Sequence, residues 1–120
     1  MIAVRGATTI TENSIEEIKN ASIELIDEII KINKIESVNI TALIFSCTRD
    51  ITKDYPGKFV REYFNLGNSA IMHFNEMFVE NSMPLCIRVL VLLDNGNKKD
   101  IKYVYLREAK KLRNDLFNIN

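Results

Sequence analysis

The sequence predicts an α/β (α+β) fold: one domain, built on a five-stranded mixed sheet with helices on one face. Two observations carry this. Apolar runs of strand length alternate with two stretches of helical period, in the order strand, helix, strand, helix, then three strands. The chain of 120 residues has the length of one domain, and no linker, repeat or low-complexity stretch divides it, so residues 1–120 read as a single unit.

The elements follow in order. Met1 to Arg5 is a first strand, which Gly6 is expected to break before Thr8, Thr9 and Ile10 resume extended structure. Ser14-Ile15-Glu16-Glu17 has the capping-box pattern, in which hydroxyl and carboxylate each satisfy an amide at a helix start. A helix to about Asn33 is expected, with Ile18, Ala21, Leu25, Ile29 and Ile32 as its apolar stripe and Ile15, Ser22 and Ile26 widening it. Ile40 to Phe45 is a second strand, running into the polar patch Ser46-Cys47-Thr48-Arg49-Asp50. Pro56 suits the first turn of a second helix, with Phe59, Val60, Tyr63 and Phe64 as its apolar side and Gly67 as its stop. Ala70 to Phe74 is a third strand, with Glu76 just beyond. Leu85 to Leu93 is the fourth, and its composition reads as a strand covered on both faces. Asp94-Asn95-Gly96-Asn97 is a turn, after which Ile101 to Leu106 returns as a fifth strand antiparallel to the fourth. The tail from Arg107 has a short helical look. Two helices cannot cover both faces of such a sheet, so self-association through the second face is expected.

Composition narrows the function. Sixteen basic and sixteen acidic residues cancel, which argues against a nucleic-acid partner. No run of about 18 apolar residues or signal-like opening occurs, so no membrane partner and a cytoplasmic location are expected. Cys47 and Cys86 each lie in an apolar segment and read as buried free thiols. No metal-ligand spacing, phosphate loop or nucleophile motif is present, and His73 is the single histidine. A metal is therefore not expected.

Arg88 is the exception in its strand. Its guanidinium cannot lose its proton, so amid apolar neighbours it must meet an anion. Either a protein carboxylate satisfies it, as a structural ion pair, or a ligand does. The other polar residues at strand ends are Arg5, Glu76 and Tyr105. Two arginines, a carboxylate and a phenol suit binding and orienting a polyanion better than nucleophilic or hydrolytic work.

Five segments then resemble one family in order and separation: Arg5-Gly6-Ala7-Thr8-Thr9, Tyr55-Pro56-Gly57-Lys58-Phe59-Val60-Arg61-Glu62, Glu76-Met77, Cys86-Ile87-Arg88-Val89, and Val104-Tyr105-Leu106 followed by Leu112-Arg113-Asn114-Asp115-Leu116. They are similar to the AroH-class, Bacillus-type monofunctional chorismate mutases. The resemblance implies a homotrimer forming a pseudo-α/β barrel, with active sites at subunit clefts. It implies an isomerase converting chorismate to prephenate on the way to phenylalanine and tyrosine, without a cofactor.

Residue roles follow from the same resemblance. Arg88 matches the donor to the substrate's ether oxygen and to a carboxylate. Glu76 matches the carboxylate that takes the ring hydroxyl and faces developing positive charge. Arg5 and Tyr105 match carboxylate binders. Tyr55, where the family usually has Phe, would wall the cleft. Lys58 and Arg61 would stand at its mouth, or be solvated helix charges. Leu112 and Arg113 match a mobile C-terminal segment, roughly residues 107–120, that closes over substrate. Two departures stand out. His73 occupies a position usually held by Ser or Cys, where it could narrow the cleft, donate to a carboxylate or point away. Gly57 replaces a more helical residue. Rival readings are an imine/enamine deaminase of similar trimeric fold and a non-catalytic trimer binding a small acid.

Overall fold

The computed structural model describes residues 1–112. Five strands and two helices follow in the expected order: β1 (Ile2–Thr9), α1 (Ile15–Asn33), β2 (Ile40–Cys47), α2 (Pro56–Phe64), β3 (Ala70–Asn75), β4 (Cys86–Leu93) and β5 (Val104–Tyr105). They form one mixed sheet in the order β3-β2-β4-β1-β5. β4 lies at its centre, antiparallel to both β1 and β2, while β3 runs parallel to β2 and β5 parallel to β1.

Alternation decides which side chains meet the helices. Val4, Leu43, Phe45, Ile87, Val89 and Val91 point to one face and are buried against Ile18, Leu25, Ile29 and Val60 of α1 and α2. The opposite face carries Ala3, Arg5, Ala42, Ile44, Ser46, Met72, Phe74, Arg88, Leu90 and Leu92. Neither α1 nor α2 lies on it; among the described residues only the short 3-10 turn Arg107–Ala109 does, setting Ala109 against Ala7, Cys86 and Tyr105 at one end. Ile44, Leu90 and Leu92 are half-buried, and Met72 and Phe74 are more than half exposed. The chain therefore covers the Arg88 strand fully on one face and only at its Cys86 end on the other, and Ile32 and Ile15, expected in the buried stripe of α1, are exposed too.

Local chemistry sets the boundaries. Ser14 caps α1 by accepting from the Glu17 amide at 3.2 Å. The reciprocal half of the box is not made. The Glu17 carboxylate turns to Thr11, accepting from its amide at 3.1 Å and its hydroxyl at 2.9 Å. α2 ends on Asn65, held in the left-handed region at φ 55°, and not on Gly67. Asparagine tolerates that conformation better than most residues, so it can serve as the stop.

Two strand expectations change. β1 runs unbroken through Gly6. Gly6 lies on the helix side, where an added Cβ would stand 2.7 Å from Ile29 Cδ1 and 3.2 Å from Leu25 Cδ1. Its role is to let α1 approach the sheet. β5 is only Val104–Tyr105 and adds to the outer edge of β1 in parallel, not to β4. β4 already has both edges filled by β1 and β2, so no edge was left for it.

Past β5 the chain is tied down by Arg107, which takes φ 52°. Its Nη1 donates to Thr9 O at 3.1 Å, and it pairs with Glu17 at 3.4 Å and Glu24 at 3.3 Å. Ala109 is fully buried behind it.

Gly6→Val should lower stability by about 1–3 kcal/mol, the usual cost of forcing extra bulk into a packed site. Urea unfolding checks it: the midpoint should drop with little change in slope. An unchanged midpoint would show that α1 does not depend on this close approach.

Candidate active site

The polar patch after β2 builds one end of the site. Thr48 Oγ1 accepts from the Cys86 amide at 2.9 Å, and Asp50 accepts from the Leu85 amide at 3.0 Å. These bonds fix the entrance to β4, where Leu85 is held at φ 48°. Two residues further on, Arg88 points out of the open sheet face.

Across the sheet at that level the neighbours are Phe74, Ser46, Arg88, Ala7 and Tyr105. Arg5 lies one step along the same face, paired with Leu90. Small residues flank the arginine on both sides, which leaves room for its fork. Glu76 follows the end of β3, where its amide donates to Cys47 O at 2.8 Å. Its Oε1 stands 2.9 Å from Arg88 Nε and accepts from Ser46 Oγ at 3.1 Å.

The ion pair is close, but its N–H points off the line to the carboxylate. Arg88 Nε is buried and makes no aligned hydrogen bond. The Tyr105 hydroxyl is likewise buried without a partner among the described residues. Burial pushes the Tyr105 phenol up, Arg5 pulls it down, Tyr103 raises it and Arg88 pulls it down again. The phenol therefore lies within the field of both arginines and stays protonated as a donor. Arg5 is exposed and has no ion-pair partner among the described residues. The four residues expected to be catalytic are thus brought to one face of one sheet.

A cleft of about 930 Å³ opens beside Arg88. Thr9, Met83, Leu85, Arg107 and Leu112 are among its walls. Arg113 lies outside the described residues.

The remaining expected residues gather elsewhere. Tyr55 and His73 line a separate hollow of about 370 Å³ with Cys47, Asp54 and Asn75. His73 pairs with Phe45 in the sheet and so points to the helix side, away from the face of Arg88. Within its own chain, then, His73 faces α2 and Tyr55 and not Arg88. Burial holds its imidazole below the usual value. Lys58 is bonded to Asp54 at 3.2 Å. Arg61 donates to Leu66 O at 3.3 Å and Ser69 O at 3.5 Å, tying down the end of α2. Within one chain, none of these four joins the Arg88 group.

Sequence reasoning missed Ser46 and Arg107. Counting alternate residues along β2 from Ile44 would have placed Ser46 beside Arg88. Arg107 had no comparable signal, since its partners lie far away in sequence. The two thiols are buried and free. Burial raises Cys47 to about 12 and raises Cys86 too, though Arg88 opposes the latter. Neither is a ready nucleophile.

Comparison with known proteins agrees with this arrangement. The profile of the family "Chorismate mutase type I" matches residues 1–116. The chain is 36% identical over 115 residues to chorismate mutase AroH of Thermus thermophilus, covering 94% of this chain and 93% of that one. It is 32% identical over 114 residues to chorismate mutase AroH of Bacillus subtilis (strain 168), covering 94% and 90%. A solved chorismate mutase from Clostridium thermocellum superposes with a TM-score of 0.88 at 36% identity, over 92% of this chain and 99% of that chain. With its sheet order, its arginine–glutamate pair and this match over nearly its whole length, the chain belongs to the type I chorismate mutase family.

Proposed function

We propose that Arg88, Glu76, Arg5 and Tyr105 form the centre at which this chain, a chorismate mutase, converts chorismate to prephenate. The observation that carries the reading is the Arg88–Glu76 pair on the sheet face away from α1 and α2, with the Tyr105 hydroxyl buried beside it and without a hydrogen-bond partner among the described residues. Such donors are suited to an anion that the protein itself does not supply.

The reaction is a unimolecular rearrangement. One C–O bond breaks, one C–C bond forms, and product and substrate are isomers, so neither a nucleophile nor a proton donor is required. Two tasks remain. The flexible dianion must be held in its compact conformer. Charge must be stabilised as the ether oxygen becomes negative and the ring positive. Arg88 does the first part of the second task through its donors to the ether oxygen. Glu76 accepts from the ring hydroxyl and faces the positive ring. Arg5 and Tyr105 hold a carboxylate.

The assembly in this proposal is a homotrimer. Ile44, Leu90, Leu92, Met72 and Phe74 give the open face an apolar surface to bury between copies. Tyr55, Lys58 and Arg61, which do not reach Arg88 in their own chain, then complete the cleft of a neighbouring copy. Leu112 and Arg113 close it. The buried free thiols suit a reducing compartment, and no helix among the described residues is long and apolar enough to cross a membrane. Both fit a cytoplasmic enzyme.

Mixing the protein with chorismate and following loss of its ultraviolet absorbance tests the reading. Arg88→Ala should lower kcat/KM by at least about 10²–10³, equivalent to about 3–4 kcal/mol of transition-state stabilisation. Arg88→Lys keeps the charge but loses the fork and should recover only part of this. Glu76→Gln should lower kcat more than it raises KM, because its charge matters most once the ring turns positive. Binding without turnover in the unaltered protein would refute the proposal in favour of a sensor, and ammonia release from an imino acid would point to a deaminase.

A further inference from the structure

His73 and Gly57, the two departures from the family pattern, meet in space. The first turn of α2 leaves backbone donors without intrahelical partners. Pro56 has no N–H to satisfy, and Tyr55, at the capping position, makes no side-chain capping bond. The Gly57 amide instead donates to His73 Nε2 at 2.9 Å. The imidazole is fixed for this by stacking on Phe45 (centroids 5.3 Å apart, planes 12° apart) and by a tilted contact with Tyr55 at 5.1 Å.

Space links the two residues as tightly as the hydrogen bond does. A Cβ at position 57 would stand 2.8 Å from His73 Nε2 and 2.9 Å from His73 Cε1. It would also stand 2.5 Å from Ile71 Cγ2. Glycine is thus required beneath this imidazole, which makes two of the three closest approaches.

We infer that His73 is a positioning residue: it caps α2 from the helix-facing side of β3, and so holds Tyr55 and Lys58 in the wall of the chorismate cleft. The inference rests on the proposed function for its consequence in catalysis, but the cap itself stands on geometry alone. The larger imidazole and the smaller residue at 57 form one compensated pair.

Two independent measurements test it. The first is a folding cycle that needs no substrate. Gly57→Ala should lower the melting temperature in the unaltered protein and do much less harm in a His73→Ser background. The coupling should be at least about tenfold in the folding equilibrium. If Gly57→Ala does not fold alone, recovery of folded protein in the double variant counts as the same result. Additive effects, or failure of both variants to fold, would overturn the pairing.

The second measurement is kinetic. His73→Leu keeps bulk but offers no acceptor, and should raise KM for chorismate on the order of tenfold with kcat nearly unchanged. His73→Gln, with an amide oxygen able to accept, should restore KM. A KM unmoved in His73→Leu overturns the positioning role. Unaltered protein inert toward chorismate would instead overturn the proposed function, while the folding cycle would still decide the cap.

A pH series adds a signature that bulk alone would not produce. The hollow facing His73 brings Lys53, Asp54 and Tyr55 from the approach to α2 and Cys47 from β2. Asp54 is held below its ordinary value of 3.8 and Cys47 is raised to about 12, so neither titrates near the imidazole. The unfolded chain takes up a proton at His73 near 6.5, and the folded chain only at lower pH. The folded state therefore binds fewer protons there. The stability of the buried neutral imidazole, the form that can accept from Gly57, is full above 6.5 and is lost as pH falls below it. Between about pH 7.5 and about pH 5.5 the melting temperature should fall more in the unaltered protein than in His73→Gln. Parallel curves would overturn the cap.

Discussion

A guanidinium on the central strand of a sheet is the constraint to which the rest of this molecule answers. Arg88 brings a charge between strand neighbours, Ile87 and Val89, that are buried. Its position in the alternation sends the charge to the face the helices do not cover. There, β3 must end where it does so that Glu76 can reach back, and β2 must place Ser46 alongside so that the carboxylate is held by a second donor. Sheet order matters for the same reason. With β4 flanked by β2 and β1, the residues beside Arg88 are Ser46 and Ala7, and large side chains at either place would fill the space its fork needs.

The strength of this arrangement depends on how dry it is. In the single chain the side chains of Arg88 and Glu76 are 31% and 27% exposed, so water weakens their mutual attraction and any attraction to a ligand. Burying the open face between copies would remove that water. The same event would raise the cost of the uncompensated charge on Arg5, which a dianion can neutralise. In the proposed assembly, burial between copies and substrate binding would favour each other: burial would strengthen a dianion site, and a dianion would relieve the charge that burial leaves.

The sequence made some of this plain and hid the rest for physical reasons. The order of elements was readable because each apolar run had a distinct period, and Arg88 was readable because one charge among nine residues has no structural excuse. Gly6 misled because glycine marks both strand breaks and close approaches, and only the distance to Leu25 and Ile29 tells them apart. The partner of β5 depended on which sheet edge was free, a global property that no local window contains. Asn65 competed with Gly67 as the end of α2, and the less obvious residue took the left-handed turn. For the site, Arg5, Glu76, Arg88 and Tyr105 were all legible as strand-end polar residues. Ser46 was passed over because its polar neighbours masked its place in the alternation. Arg107 holds Thr9, Glu17 and Glu24, partners about a hundred residues away at most and invisible to spacing.

β3 brings these threads together, because its two faces carry separate tasks. Met72 and Phe74 point to the open face, with Glu76 continuing beyond, and these positions bear on the electrostatic centre and on the surface between copies. Ile71 and His73 point the other way, and bear on the first turn of α2. A substitution on the helix side can therefore reshape a wall of the cleft without disturbing the arginine–glutamate pair, since the sheet itself lies between them. That separation lets a bulky imidazole stand at position 73 without reaching the arginine–glutamate pair. What it displaces is the Cβ of residue 57, and what it supplies is an acceptor for the amide left bare by Pro56 and Tyr55. The change is absorbed within one helix turn, and the charges that face the substrate stay where the sheet puts them.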